Sequence, residues 1–193
     1  LYSLKKIKTA IFISRRGSNM RALIAASKSN NYPADIHLII SNNKDAEGLR
    51  IAQENNIKTI HTNKNQFEEL VNSLLDEKKI ELICLAGFMQ ILSNEFINKW
   101  MGRIINIHPS YLPAFKGLNA QAQAINSHAT YSGCTVHFVN EKIDGGEIIM
   151  QKKVIINENE DIESLSKKIL IQEHIIYPKA LEFVANKILK NHN

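Results

Sequence analysis

Thr9-Ala10-Ile11-Phe12-Ile13-Ser14-Arg15-Arg16-Gly17-Ser18-Asn19 passes from an apolar run into a polar turn and then into a helical pattern. Thr9–Ile13 is too short for a helix and rich in β-branched side chains, so it reads as a buried strand. Ser18 or Asn19 then caps a helix reaching about Ser27. The same alternation continues outward. Asp35–Ile40 is a second strand, stopped by Ser41-Asn42-Asn43. Ala46 to Asn55 reads as a helix and Ile57–Ile60 as a short strand. Phe67, Leu70, Val71, Leu74 and Leu75 recur at helical spacing. Leu82–Leu85 is a continuous apolar strand ended by Ala86-Gly87. Ser93 caps a helix to roughly Trp100, and Arg103–Ile107 is a strand that Pro109 ends.

The second half changes character. Leu118 to Ser127 looks helical. Thr135–Val139 and Glu147–Gln151 are strands joined through Asp144-Gly145-Gly146, and Val154–Ile156 continues the second of them. A long helix closes the chain through Leu165, Ile169, Ile176, Leu181, Val184 and Ile188, with Pro178 expected to kink or divide it. The pattern predicts an α/β fold: an open, mostly parallel, twisted sheet with helices on both faces and antiparallel strands in the C-terminal part. The whole chain, 1–193, reads as one domain without repeat, low-complexity tract or linker. In such sheets ligands sit beyond the carboxyl ends of the strands, so functional motifs should fall just after strands.

Composition narrows the classes. The chain has 193 residues, 44% hydrophobic and 22% charged, which excludes a disordered polymer. No apolar run approaches the ~20 residues that span a bilayer, so no membrane partner is expected. The formal charge is +5. Its basic residues are scattered without aromatic interleaving, so nucleic acid is not the expected partner, and a mildly anion-attracting surface is. Cys84 and Cys134 lie in apolar or strand context and read as reduced core residues of a cytoplasmic protein. No CxxC or HExxH occurs, and no metal is expected.

Three places could carry chemistry. At Ser14–Asn19 a strand-to-helix turn presents backbone N–H groups and a helix dipole to an anion. Gly17 permits close approach of a phosphate, and Ser18 and Asn19 add donors. An ordinary helix cap would look the same, and neither a dinucleotide fingerprint nor a P-loop is present. At Asn106-Ile107-His108, period-two alternation sends Asn106 and His108 to one face and Ile105 and Ile107 to the other. Two donors emerging together at a strand end suit an oxyanion, and a histidine satisfied by turn backbone is the plainer alternative. Asp144-Gly145-Gly146 is a turn on its own terms. Placed near His108, its carboxylate would raise the imidazole pKa. His37 and His137, within strands, read as packed or hydrogen-bonded.

Six segments, taken together, resemble one family. They are Ser14–Ala22 (SRRGSNMRA), Leu85–Ser93 (LAGFMQILS), Ile104–Pro113 (IINIHPSYLP), Gly133–Val139 (GCTVHFV), Ile143–Gln151 (IDGGEIIMQ) and Gln172–Pro178 (QEHIIYP). They occur in the order found in the phosphoribosylglycinamide formyltransferase family, and the resemblance spans almost the whole chain. It implies a Rossmann-like formyltransferase fold. It also implies transfer of a formyl group from 10-formyltetrahydrofolate, as cosubstrate, to the amino group of glycinamide ribonucleotide in purine synthesis, without metal. Carried over residue by residue, the catalytic residues are Asn106, His108 and Asp144. The nucleotide contacts are Gly17, Ser18, Asn19 and Glu173. The folate contacts are Lys64, Met89, Gln90, Ile91, Leu92, Asn106, Asn140, Glu141, Lys142, Ile143 and Asp144. On this reading Asn106 and protonated His108 stabilise an oxyanion and Asp144 keeps His108 charged.

The chain departs from the family pattern at Arg15, which replaces a glycine, at Gln90, where arginine is usual, and at Gln121, where histidine is usual. A hydrolase of the same folate and a non-catalytic nucleotide- or folate-binding module are the alternatives. The hydrolases resembled carry an extra N-terminal regulatory domain, and the tRNA formyltransferases an extra C-terminal one. The strand that starts at Thr9 and the helix that closes the chain favour the transferase. A monomer or weak homodimer is the expected assembly.

Overall fold

The computed structural model describes residues 5–63 and 66–192. In chain order the elements are β1 (Ile7–Ile13), α1 (Ser18–Ser27), β2 (Ala34–Ser41), α2 (Glu47–Glu54), β3 (Lys58–His61), α3 (Phe67–Glu77), β4 (Leu82–Leu85) and α4 (Asn94–Lys99). They continue as β5 (Ile104–His108), α5 (Ala120–Asn126), β6 (Tyr131–Phe138), β7 (Ile148–Ile155) and α6 (Ile162–Asn191). One seven-stranded sheet has the order β3-β2-β1-β4-β5-β6-β7. The pairs from β3 to β5 are parallel. β6 and β7 join antiparallel. This is the expected α/β class.

Alternation along the strands divides the core in two. Ile7, Ile11 and Ile13 of β1, Leu82 and Cys84 of β4, and Ile105 and Ile107 of β5 pack on one face with Met20, Leu23 and Ile24 of α1 and the buried side of α6. Ala10, Phe12, Ile83, Leu85 and Ile104 point to the other face, against Phe67, Val71 and Leu75 of α3 and Phe96, Ile97 and Trp100 around α4. Removing side chains of this size from water stabilises by ~1.5–3 kcal/mol each, so the two layers fix which way every strand faces. Asn106 and His108 therefore fall on the Phe12–Phe96 face, in phase with Ile104, where β5 runs out of hydrophobic cover.

Several boundaries differ from the sequence reading. Gly17, in the left-handed region at φ 70, caps α1, and no side chain of Ser18 or Asn19 does so. Ser93 caps α4 as expected, accepting from the Phe96 N–H. α5 begins only at Ala120, because Asn119 takes φ 56 and cannot be helical. β7 runs through Lys152 and Lys153 into Val154 and Ile155, the expected continuation, since its pairing with β6 persists there. α6 likewise runs through Pro178 without division. Proline removes one helical hydrogen bond, but Tyr177, Ala180, Leu181 and Val184 are buried around it. The Tyr32 hydroxyl also donates to the Pro178 carbonyl at 2.7 Å.

Candidate functional site

The strand order reverses direction between β1 and β4, and such a point opens a crevice above the sheet. Phe12 of β1 is level with Leu85 of β4, and Leu85 with Asn106 of β5. The turn after β1, the loop after β4 and the end of β5 therefore lie side by side.

The first of these is the expected anion turn. Gly17 is buried, and a Cβ there would meet Gly48 Cα and Met20 Cε at 3.0 Å. Position 17 therefore requires glycine by both conformation and space. The leading N–H groups of an α-helix have no intrahelical acceptor, so α1 presents donors at this point. Arg15 and Arg16 are exposed beside it. Arg15 has an ordinary negative φ, so the side chain that replaces the family's glycine is accommodated without strain. Asn19 turns inward, donating from Nδ2 to Glu173 Oε2 of α6 at 2.8 Å. Glu173 is 6% exposed, and burial pushes its carboxyl up to about 7 against the lowering effect of Asn19.

The loop after β4 holds the expected folate residues in mixed roles. Leu92 is buried, while Met89 and Ile91 are 51% and 82% exposed, large apolar groups in water beyond a strand end. Phe88 packs edge-on to Phe12 and tilted against Phe67. Gln90 accepts from Asn42. Lys64 lies outside the described residues. Across the crevice, residues 139–147 join β6 to β7. Within it Asn140 donates to the Gly145 carbonyl, Lys142 N–H to Asn140, and Gly145 N–H to the Lys142 carbonyl. Glu141 accepts from Asn98 of α4, and Ile143 stands 65% exposed. A Cβ on Gly146 would overlap the Phe138 carbonyl, so the loop can close onto β6 only with glycine there.

This loop delivers Asp144 to the polar end of β5. Asp144 Oδ2 lies 3.3 Å from His108 Nδ1, both side chains being under a tenth exposed. Asp144 itself adopts φ 47, so the left-handed residue of the Asp-Gly-Gly turn is the aspartate. That conformation costs ~1–2 kcal/mol outside glycine. The Gly117 N–H, donating to Oδ2 at 2.7 Å, helps hold it. His108 Nε2 donates to the Phe115 carbonyl at 2.8 Å. Asn106 Nδ2 is 3.3 Å from His137 Nε2, and that nitrogen is 3.6 Å from Asp144 Oδ1. His137 Nδ1 faces the Phe138 carbonyl at 2.8 Å, which can only accept, so Nδ1 carries a proton.

The three expected catalytic residues thus meet in one place. His137, read from sequence as packed or hydrogen-bonded within its strand, is both, and it lies beside them, as do Phe115 and Gly117 through their backbone. Antiparallel pairing sets His137 directly opposite Asn106. The period-two face shared by Thr135 and His137 was a usable signal, but the register that makes it count is tertiary. The expected effect of Asp144 on His108 is present, and burial opposes it. Asp144 pulls the His108 pKa upward, yet the net shift is downward, because burial outweighs both that pull and the pull of the Phe115 carbonyl, and His137 adds to the lowering. Asp144 is held below the usual carboxylate range: burial raises it, but His137, the Gly117 N–H and His108 together lower it further. Gln121, on α5, lies outside this contact set.

Among the described residues, no group of three or more His, Cys, Asp or Glu is placed to hold a metal. No helix among them is long and apolar enough to cross a membrane.

An open, mostly parallel sheet whose strand order reverses between β1 and β4, with a buried His–Asp pair beyond the carboxyl end of β5, defines a protein of the doubly wound α/β class. Within that class, the chain belongs to the formyl transferase family, whose sequence model matches residues 7–181. It is 38% identical to the phosphoribosylglycinamide formyltransferase of Haemophilus influenzae, over 91% of this chain and 86% of that one. A human trifunctional purine biosynthetic protein is 41% identical over 96% of this chain, and the chain spans 19% of that protein's length. A crystal structure of phosphoribosylglycinamide formyltransferase from Anaplasma phagocytophilum superimposes with a TM-score of 0.91 at 42% identity, covering 95% of this chain and 88% of the other.

Proposed function

We propose that this chain transfers the formyl group of 10-formyltetrahydrofolate to the amino group of glycinamide ribonucleotide, a step of purine biosynthesis. The observation that carries the reading is the meeting of Asn106, His108 and Asp144 between the anion turn and the loops at 86–93 and 139–147. The formyl transferase match and the two transferases named above support the same chemistry. The nucleotide phosphate sits at the N-terminus of α1, and Glu173 and Asn19 line the same side. The pterin lies against Met89–Leu92 and the 140–144 loop. No resident cofactor is required, because the folate enters and leaves as a substrate.

The amine attacks the formyl carbon, and negative charge grows on the formyl oxygen. Asn106 Nδ2 and His108 Nε2–H are the donors for that oxygen. In the structure Nε2–H is held by the Phe115 carbonyl, so the 111–119 segment must yield as the oxyanion takes its place. Burial lowers the His108 pKa. The developing oxyanion and Asp144 then flank the ring with two negative charges, which draw onto the imidazole, in transit, the proton that the attacking amine loses. The proton lost by the amine reaches the folate nitrogen, and the carbon–nitrogen bond to the folate breaks.

The deciding measurement is absorbance of folate deformylation with and without glycinamide ribonucleotide. Turnover that depends on the nucleotide, with formylated nucleotide as product, is the expected result. Formate release without nucleotide would make the protein a hydrolase, and no turnover under either condition would make it a binding module.

A further inference from the structure

The corner Ser41-Asn42-Asn43 at the end of β2 belongs to neither ligand-binding segment, yet its side chains reach both. Asn43 Nδ2 donates to the Ser14 carbonyl at 3.1 Å. The Gly48 N–H donates to the Arg15 carbonyl at 3.1 Å. These two bonds pin the backbone of the anion turn from beneath. The Ser14 hydroxyl donates to Asn42 Oδ1 at 2.7 Å and accepts from the Met89 N–H at 2.8 Å. Asn42 Nδ2 donates to Gln90 Oε1 at 3.3 Å.

The direction of this relay is determined by its first member. A backbone N–H can only donate, so the Ser14 oxygen accepts from Met89. The single serine proton then goes to the asparagine oxygen, which leaves the Asn42 amide protons for the Gln90 oxygen. Ser14 is 5% exposed and Ser41 fully buried, so the relay is shielded from water at its root, where hydrogen bonds are stronger. It ends on Gln90, one of the positions where this chain departs from its family.

We propose that Asn42 is a positioning residue that couples the anion turn to the loop at 86–93, so that filling the turn steadies the loop that receives the formyl donor. The inference rests on the assignment of those two segments as the nucleotide and folate sites. An anion gripped by the 14–19 backbone fixes Ser14. Ser14 fixes the Met89 N–H directly, and Asn42 holds the serine hydroxyl by accepting its proton.

Amide hydrogen exchange resolved at Met89 tests this, with ribose 5-phosphate as the probe. In the wild type, saturating probe slows exchange at Met89 as well as at Ser18 and Asn19. In Asn42→Ala, Met89 exchanges about two- to tenfold faster, the range that one net hydrogen bond supports, and no longer responds to the probe. Ile11 and Cys84 exchange as before, reporting an intact sheet. Asn42→Asp keeps the acceptor for Ser14 and restores protection at Met89. Should Asn42→Ala be poorly folded, Ser14→Ala cuts the same relay one link away and gives the same loss of response. Unchanged exchange at Met89, or a probe response that survives both substitutions, overturns the coupling. A wild type in which the probe leaves Ser18 and Asn19 unaffected overturns the assignment of the turn, and the coupling with it.

Discussion

The turn after β1 and the histidine centre are assembled in opposite ways. The turn is nearly contiguous: Ser14, Gly17, Ser18 and Asn19 lie on one short stretch, and β2 and α2 only brace it from below. The centre is scattered: Asn106 and His108 come from β5, Phe115 and Gly117 from the segment after it, His137 from β6 and Asp144 from a loop beyond. A contiguous site needs only local conformation, whereas a scattered one exists only when the sheet has closed in the right register.

Catalysis should be lost most completely when the scattered centre is cut. In the proposed mechanism His108→Ala removes an oxyanion donor, and kcat should fall by ~10²–10³ while substrate KM values change far less. Steady-state kinetics on a variant with an unchanged circular dichroism spectrum checks this. Near-normal turnover would show that the centre is a structural knot instead.

The next effect lies behind the turn, at Glu173, which Asn19 holds on α6. Its folded carboxyl titrates at about 7 against an ordinary 4.5, with burial the chief cause. A raised pKa means that the folded chain prefers the neutral acid. The stability this preference contributes is complete below the ordinary value and is lost as pH rises through 4.5 to 7, for a total of ~3 kcal/mol. Urea unfolding at pH 5 and pH 8 should therefore show a larger fall for the wild type than for Glu173→Gln. Identical falls would mean that Glu173 is already solvated.

The smallest effect belongs to the contiguous turn. Gly17→Ala forces a side chain into the left-handed region at ~1–2 kcal/mol and crowds Gly48 and Met20. The melting temperature should drop by a few degrees and the nucleotide KM should rise, with the His108 chemistry spared. If kcat falls while the nucleotide KM holds, the two regions are not separable.

The strand-and-helix alternation was legible because each element has its own period, two or 3.6, visible within a few residues. The same periodicity put Asn106 and His108 on one face. Element ends were less legible. Nothing local says that Asn119 turns left-handed before α5, or that packing around Tyr177 and Ala180 carries α6 through Pro178. His137 was passed over for the same reason. Its partners are set by the pairing of β6 with β5, and histidines within strands are ordinary.

Short-range pattern and backbone preference were enough to give the fold class, the glycine turn after β1 and the polar pair at the end of β5. It took the folded chain to set His137 opposite Asn106, to bring a left-handed Asp144 to His108, and to bury Glu173 against Asn19 with its carboxyl near neutrality. Those outcomes depend on strand register, loop closure and burial. Each is a property of segments far apart in the chain, and no local pattern encodes it.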